Sequence, residues 1–140
     1  MKTLWLSLLL IAACSAPVPS IEMHDAWARA TAPGQSSGAV YVSVVNRGGS
    51  DRLTGAATDR AASATIHSSL IENGVSKMQT PGSVAIPGGA TVALAPGATH
   101  VMLEGLRSPL VAGETIAVTL HFAKVGPKIV TANVTAAGAR

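Results

Sequence analysis

Thr115-Ile116-Ala117-Val118-Thr119-Leu120-His121-Phe122-Ala123 alternates apolar and polar side chains with a period of two. A chain with that period is a β-strand with one face buried and one face wet. Ile116, Val118, Leu120 and Phe122 are therefore expected in a core, with Thr119 and His121 outside. Outward from this stretch the same texture repeats in short runs. Strands are expected over residues 24–30, 39–46, 52–57, 62–71, 75–79, 91–95, 99–106, 115–124 and 128–134. Turn formers separate them, among them Pro33-Gly34, Gly48-Gly49, Asn73-Gly74, Pro87-Gly88-Gly89, Pro96-Gly97 and Gly126-Pro127. No stretch of useful length has a helical period. Many short strands with turn signals between them define an all-β, antiparallel sandwich or barrel.

Composition narrows the class further. A chain of 140 residues holds one ordinary domain, and 48% hydrophobic against 12% charged residues is the balance of a packed protein, not of a disordered one. Aromatic residues are only 3%, so the core is built from Val, Leu, Ile and Ala. The formal charge is +3, but its cations are scattered, and few aromatic rings are present to stack bases. No nucleic-acid partner is expected.

Residues 1–13 read as a leader: Met1-Lys2 followed by an uncharged apolar run to Ala13. That run is too short to span a bilayer as a helix, which takes about 20 residues. The chain's single cysteine, Cys14, follows Ile11-Ala12-Ala13 and resembles the lipidated cysteine of a bacterial lipobox. Residues 14–22 are then expected to be a lipid-bearing, proline-containing tether, and residues 23–140 the folded domain. Such a chain would sit in the cell envelope, held to a membrane by its lipid. Ser15 after the cysteine leans toward the outer membrane in a Gram-negative host. With no other cysteine, the domain has no disulfide.

Four residues form a constellation. Asn73-Gly74 is a strong hairpin signal. A two-residue loop there pairs Ser69 with Met78, which places Met78 on the same face as His67, its diagonal neighbour. His100 and Met102, two apart on an expected strand, also share a face. Two His–Met pairs can close around one ion if their strands meet. Zinc takes thiolate, imidazole and carboxylate, and calcium and magnesium take oxygen. Thioether with imidazole is the donor set of Cu(I). Without a cysteine in the domain, the His₂Cys site of a blue-copper electron carrier is excluded. Set against this, a lone strand methionine is usually core filler and a lone histidine usually a solvated side chain. Met23 and His24, being adjacent, point to opposite strand faces and make a poor second site.

The spacing His67-x10-Met78-x21-His100-x-Met102 resembles the signature of the PCu(A)C-type periplasmic copper chaperones. Asp25-Ala-Trp-Ala-Arg-Ala-Thr31, the stretch from Gly38 to Asn46, Glu72-Asn-Gly-Val75 and the stretch from Gly97 to Leu106 are similar to that family as well. The resemblance implies a cupredoxin-like barrel with Greek-key connections. It implies one Cu(I) per chain, held by His67, Met78, His100 and Met102. It further implies delivery to an acceptor, either a cytochrome c oxidase subunit at the Cu(A) stage or a thioredoxin-fold assembly partner. A monomer and no enzymatic activity are expected; no carboxylate is placed to orient His67 toward Ser68 or Ser69. The chain ends Thr135-Ala-Ala-Gly-Ala-Arg140, without the His/Met-rich tail of some family members. A copper storage or resistance lipoprotein would share the same four ligands, and a metal-free envelope interaction module would need none of them.

Overall fold

The computed structural model describes residues 16–140, and over them the chain is all-β with no helix. The expected leader and Cys14 lie outside the described residues. Ten strands follow in order: β1 Ile21–Arg29, β2 Ser37–Asn46, β3 Asp51–Ala57, β4 Ala61–Glu72, β5 Val75–Gln79, β6 Val84–Ile86, β7 Thr91–Leu94, β8 His100–Leu106, β9 Thr115–Phe122 and β10 Gly126–Thr135. Seven of them close on themselves in the order β4-β8-β2-β1-β10-β9-β3, with β3 returning to β4. Strands β5, β6 and β7 hang on this ring, paired with β4, β3 and β2. Closure leaves the ring no free edge.

The alternation of β9 is observed as read: Ile116, Val118, Leu120 and Phe122 are buried while His121 is exposed. With Val40, Val44, Leu53, Ile86, Val101, Leu103 and Leu110 they make a core inside the barrel that is aliphatic except for Phe122. Two features depart from the expected strands. β1 and β10 run parallel, Trp27 beside Asn133, in a barrel otherwise antiparallel. The three-residue β6 was hidden in a loop, and pairs with β3.

Two buried polar side chains organise one end of the barrel. Asn46 accepts from the Ser20 and Gly48 backbone N–H groups and donates to the Gly49 and Ile86 carbonyls. Asp51 accepts backbone N–H bonds from Arg52 at 2.7 Å, Lys124 at 2.8 Å and Val125 at 3.0 Å. Burial raises the Asp51 carboxyl's affinity for a proton. The three N–H donors, with the Lys124 charge, outweigh this and hold its pKa below the usual carboxylate value.

A bulge in β1 decides which side chains reach the site. The register slips between His24 and Trp27, where Asp25 has φ of 52°. Met23 pairs with Val44 and packs against the core, yet Trp27, four residues on, pairs with Tyr41 on the outer face. Without the extra residue Trp27 would have pointed inward like Met23.

Candidate metal centre

Three neighbouring strands, β5, β4 and β8, supply the four candidate ligands. The β4–β5 turn has φ of 53° at Asn73 and 76° at Gly74, the doubly left-handed turn that Asn-Gly favours. It sets the expected register, Ser69 opposite Met78. On the other side of β4, His67 stands directly opposite His100 and Thr65 opposite Met102. Thr65, His67 and Ser69 share one face of β4 by the period of two. Met78, His100 and Met102 are thus on that same outer face, two on β8 and one on β5. Val101, between His100 and Met102, points into the core with Ile66 opposite it. The two His–Met pairs meet because β4 pairs with β8.

The two imidazole centroids are 6.1 Å apart, a gap that one ion with bonds of about 2 Å to nitrogen can bridge. His100 is buried, and its Nδ1 lies 3.0 Å from the Ala98 carbonyl oxygen. A carbonyl only accepts, so Nδ1 carries the proton and Nε2 is left with a lone pair for a metal. His67 Nε2 is 2.9 Å from the Thr65 hydroxyl, while its Nδ1 is buried with no hydrogen-bond partner. The Ser69 hydroxyl donates to the Met78 sulfur at 3.6 Å. A Ser68–Thr99 hydroxyl contact of 2.8 Å ties β4 to the residue just before His100. Each candidate histidine, and Met78, therefore has a partner that orients it, as metal ligands commonly do.

Sequence reading missed this surrounding layer. Thr65 and Ser69 could have been found at two residues either side of His67. Tyr41 and Trp27 could not, because the β1 bulge and the β2–β8 pairing bring them there. Tyr41 lies 6.1 Å from the His100 ring and 4.5 Å from Trp27, centroid to centroid. The other candidates stay apart. His24 is exposed beside Glu22 at 3.3 Å with Met23 on the opposite face, and His121 is exposed on β9. Among the described residues no three His, Cys, Asp or Glu side chains gather as a metal site, so the soft-donor set has no harder rival there.

The seven-stranded β-barrel, with two histidines and two methionines on one wall, is a cupredoxin-like domain. The family model described as "Putative lipoprotein LpqE-like" matches residues 21–134, and the chain belongs to that LpqE-like family. Its fold is that of the PCu(A)C-type copper chaperone domains. It superimposes on the apo PCuAC domain from PmoF1 with a TM-score of 0.72 at 27% identity, covering 85% of this chain and 96% of that one. For the copper-bound PCuAC domain from PmoF2 the TM-score is 0.70 at 27% identity, over 85% and 95% of the two chains. For CuI-DR1885 from Deinococcus radiodurans it is 0.65 at 29% identity, over 89% and 83%. Among curated proteins, "Putative lipoprotein Lxx21020" of Leifsonia xyli subsp. xyli is 39% identical over 104 residues, 73% of this chain. "Uncharacterized protein RP573" of Rickettsia prowazekii is 32% identical over 120 residues, 82% of this chain. The matched segments span 61% and 66% of those two relatives' own lengths.

Proposed function

We propose that this protein is an extracytoplasmic copper chaperone that binds one Cu(I) through His67, Met78, His100 and Met102 and passes it to an acceptor. The observation that carries the reading is the register: Ser69 opposite Met78, His67 opposite His100 and Thr65 opposite Met102. All four donors are neutral, so the loaded site has net charge +1. Soft uncharged donors suit Cu(I), and thioethers need no deprotonation to bind. Met78 is more than half exposed, so an acceptor's ligand can approach from its side before the deeper histidine lets go. A thiolate-bearing acceptor takes copper downhill from such a site. The Cu(A) centre of cytochrome c oxidase, reached directly or through a thioredoxin-fold partner, is the acceptor the family resemblance favours. Lipidation at Cys14 would hold the barrel at a membrane of the cell envelope, a placement supported by the lipoprotein names of the family and of one relative.

A Cu(I) titration against a chromophoric chelator tests this, with Met78→Leu/Met102→Leu run in parallel. One equivalent bound by the wild type, and at least about a hundredfold loss in the double variant, is the expected result. Equal competition by both proteins removes the four-ligand reading.

A further inference from the structure

Met102 has a second neighbourhood. On the side away from His67, its side chain forms one wall of a pocket of about 190 Å³ also lined by Arg29, Gln35, Ser37, Ala39 and Tyr41. The register explains the location: Ala39 is opposite Met102, and Tyr41 two residues on is opposite Trp27. The candidate metal face and this pocket therefore share a residue.

Its chemistry is one-sided. Arg29 is the only charged residue among those lining the pocket, and no carboxylate lines it. Among the described residues Arg29 forms no ion pair. Its guanidinium is held instead over the Trp27 ring, 5.9 Å from the centroid, and the Arg140 guanidinium lies 5.4 Å from the same ring. Glu104, opposite Ser37 in register, is exposed and does not line the pocket. Gln35 is already engaged, accepting from the Ala32 N–H at 3.2 Å and donating to the Ser37 carbonyl at 2.8 Å, which fixes the loop that walls the pocket. A positioned, partly buried arginine without an acid presents the fork that matches a carboxylate in two parallel hydrogen bonds.

We propose that this pocket is a carboxylate-binding site, in which an acidic side chain of the copper acceptor docks beside Met102. The site would grip the acceptor at the Met102 edge of the proposed metal face, leaving the exposed Met78 side open to the acceptor's own copper ligands. This deepens the copper reading and rests on it for its purpose, but the binding itself requires no metal. A free small carboxylate has the same chemistry.

The test uses the metal-free protein at constant ionic strength, followed by ¹H–¹⁵N correlation spectra. The probes are N-acetyl-glutamic acid α-amide, its neutral glutamine counterpart, and sodium acetate. The glutamate probe should shift the Arg29 Nε–H and the Ala39 and Tyr41 amides saturably. Arg29→Gln should weaken that binding at least about tenfold. Arg29→Lys keeps a cation over Trp27 but loses the fork; it should weaken binding several-fold, and it carries the test if Arg29→Gln fails to fold. Tighter binding of the glutamate probe than of acetate identifies a protein side chain as the ligand. Equal binding identifies a free carboxylate and overturns the docking role while leaving the carboxylate site. Equal shifts with the glutamine probe, or undiminished binding in both Arg29 variants, overturn the site itself. A failed copper titration with intact glutamate binding would remove the copper reading alone.

Discussion

The two ends of the proposed metal face are built differently. His100 is 6% exposed, on a strand locked between β4 and β2 in the closed ring, with its ring fixed by a carbonyl and flanked by Tyr41. Met78 is 55% exposed, on β5, which pairs only with β4 and whose residues are all exposed. One proposed donor belongs to the barrel's architecture and the other to an overhanging ribbon. If both residues hold the ion as proposed, such a site separates holding from handing over. The barrel keeps a preorganised imidazole, and the ribbon brings a weak, accessible sulfur that can leave first.

The contrast is broken most severely at its rigid end. Replacing His100 by Ala removes a proposed ligand and leaves a cavity beside Tyr41. It should lower the metal-free protein's stability by about 2 kcal/mol in urea unfolding and lower Cu(I) affinity by more than about a hundredfold. Met78→Ala, by contrast, should leave stability within about 0.5 kcal/mol while still weakening copper binding. Equal destabilisation by the two would show that the ribbon is as integral as the barrel.

A smaller effect is expected from the turn. Gly74 has φ of 76° with open space where a Cβ would stand, so the penalty for Gly74→Val is conformational and not steric. It should strain the hairpin by roughly 1–2 kcal/mol. Amide exchange should quicken along β5 and the end of β4, with β8 and β9 unchanged, and copper affinity should fall by up to about tenfold. Smaller again is Thr65→Val, which removes the hydroxyl beside His67 Nε2 and keeps the shape. A loss of about threefold to tenfold in copper affinity is expected, at the low end for an outer-shell partner, with Thr65→Ser restoring most of it.

The last prediction concerns the barrel alone. The Asp51 pKa is depressed in the folded state, so its contribution to stability is full above the unfolded carboxylate value, about 3.9, and is lost as pH falls through the folded one. Asp51 should contribute no slope to the urea midpoint between pH 7 and about pH 5, and a fall below about pH 4. Asp51→Asn should be less stable at neutral pH and should lose less on acidification. An unchanged acid slope in that variant would show that Asp51 does not carry this effect.

The ribbon half was the more legible in sequence. Asn73-Gly74 dictates its own turn, and the turn dictates that Ser69 faces Met78. The spacing of His100 and Met102 needed only the strand period. What joined the halves, His67 opposite His100, was not readable from residue types, because β4 and β8 are separated by more than 25 residues and no turn sets their register. The resemblance in spacing supplied that step before the geometry did. The same reason hid the parallel β1–β10 pair. The β1 bulge was hidden for another: an Asp can adopt a positive φ but rarely does, so nothing in Asp25 announced that Trp27 would turn outward. Arg29 and its pocket followed from that slip and were missed with it.

The segment ahead of β1 is held down by glycines. Gly49 N–H donates to the Val18 carbonyl and Arg47 N–H to that of Ser20, and a Cβ at Gly48 or Gly49 would collide with the Val18 or Pro17 carbonyl oxygen. If Cys14 carries lipid, only Ser15 and Ala16 lie between it and this clasp, a reach of about 10 Å at full extension. The clasp sits just past the far end of β2 from Ala39, the residue beside Met102, and Ala39 to Asn46 spans roughly 23 Å at about 3.3 Å per residue. Ala39, beside Met102, and the clasp therefore lie toward opposite ends of β2, and a barrel moored this closely would be oriented by its mooring instead of tumbling on a leash.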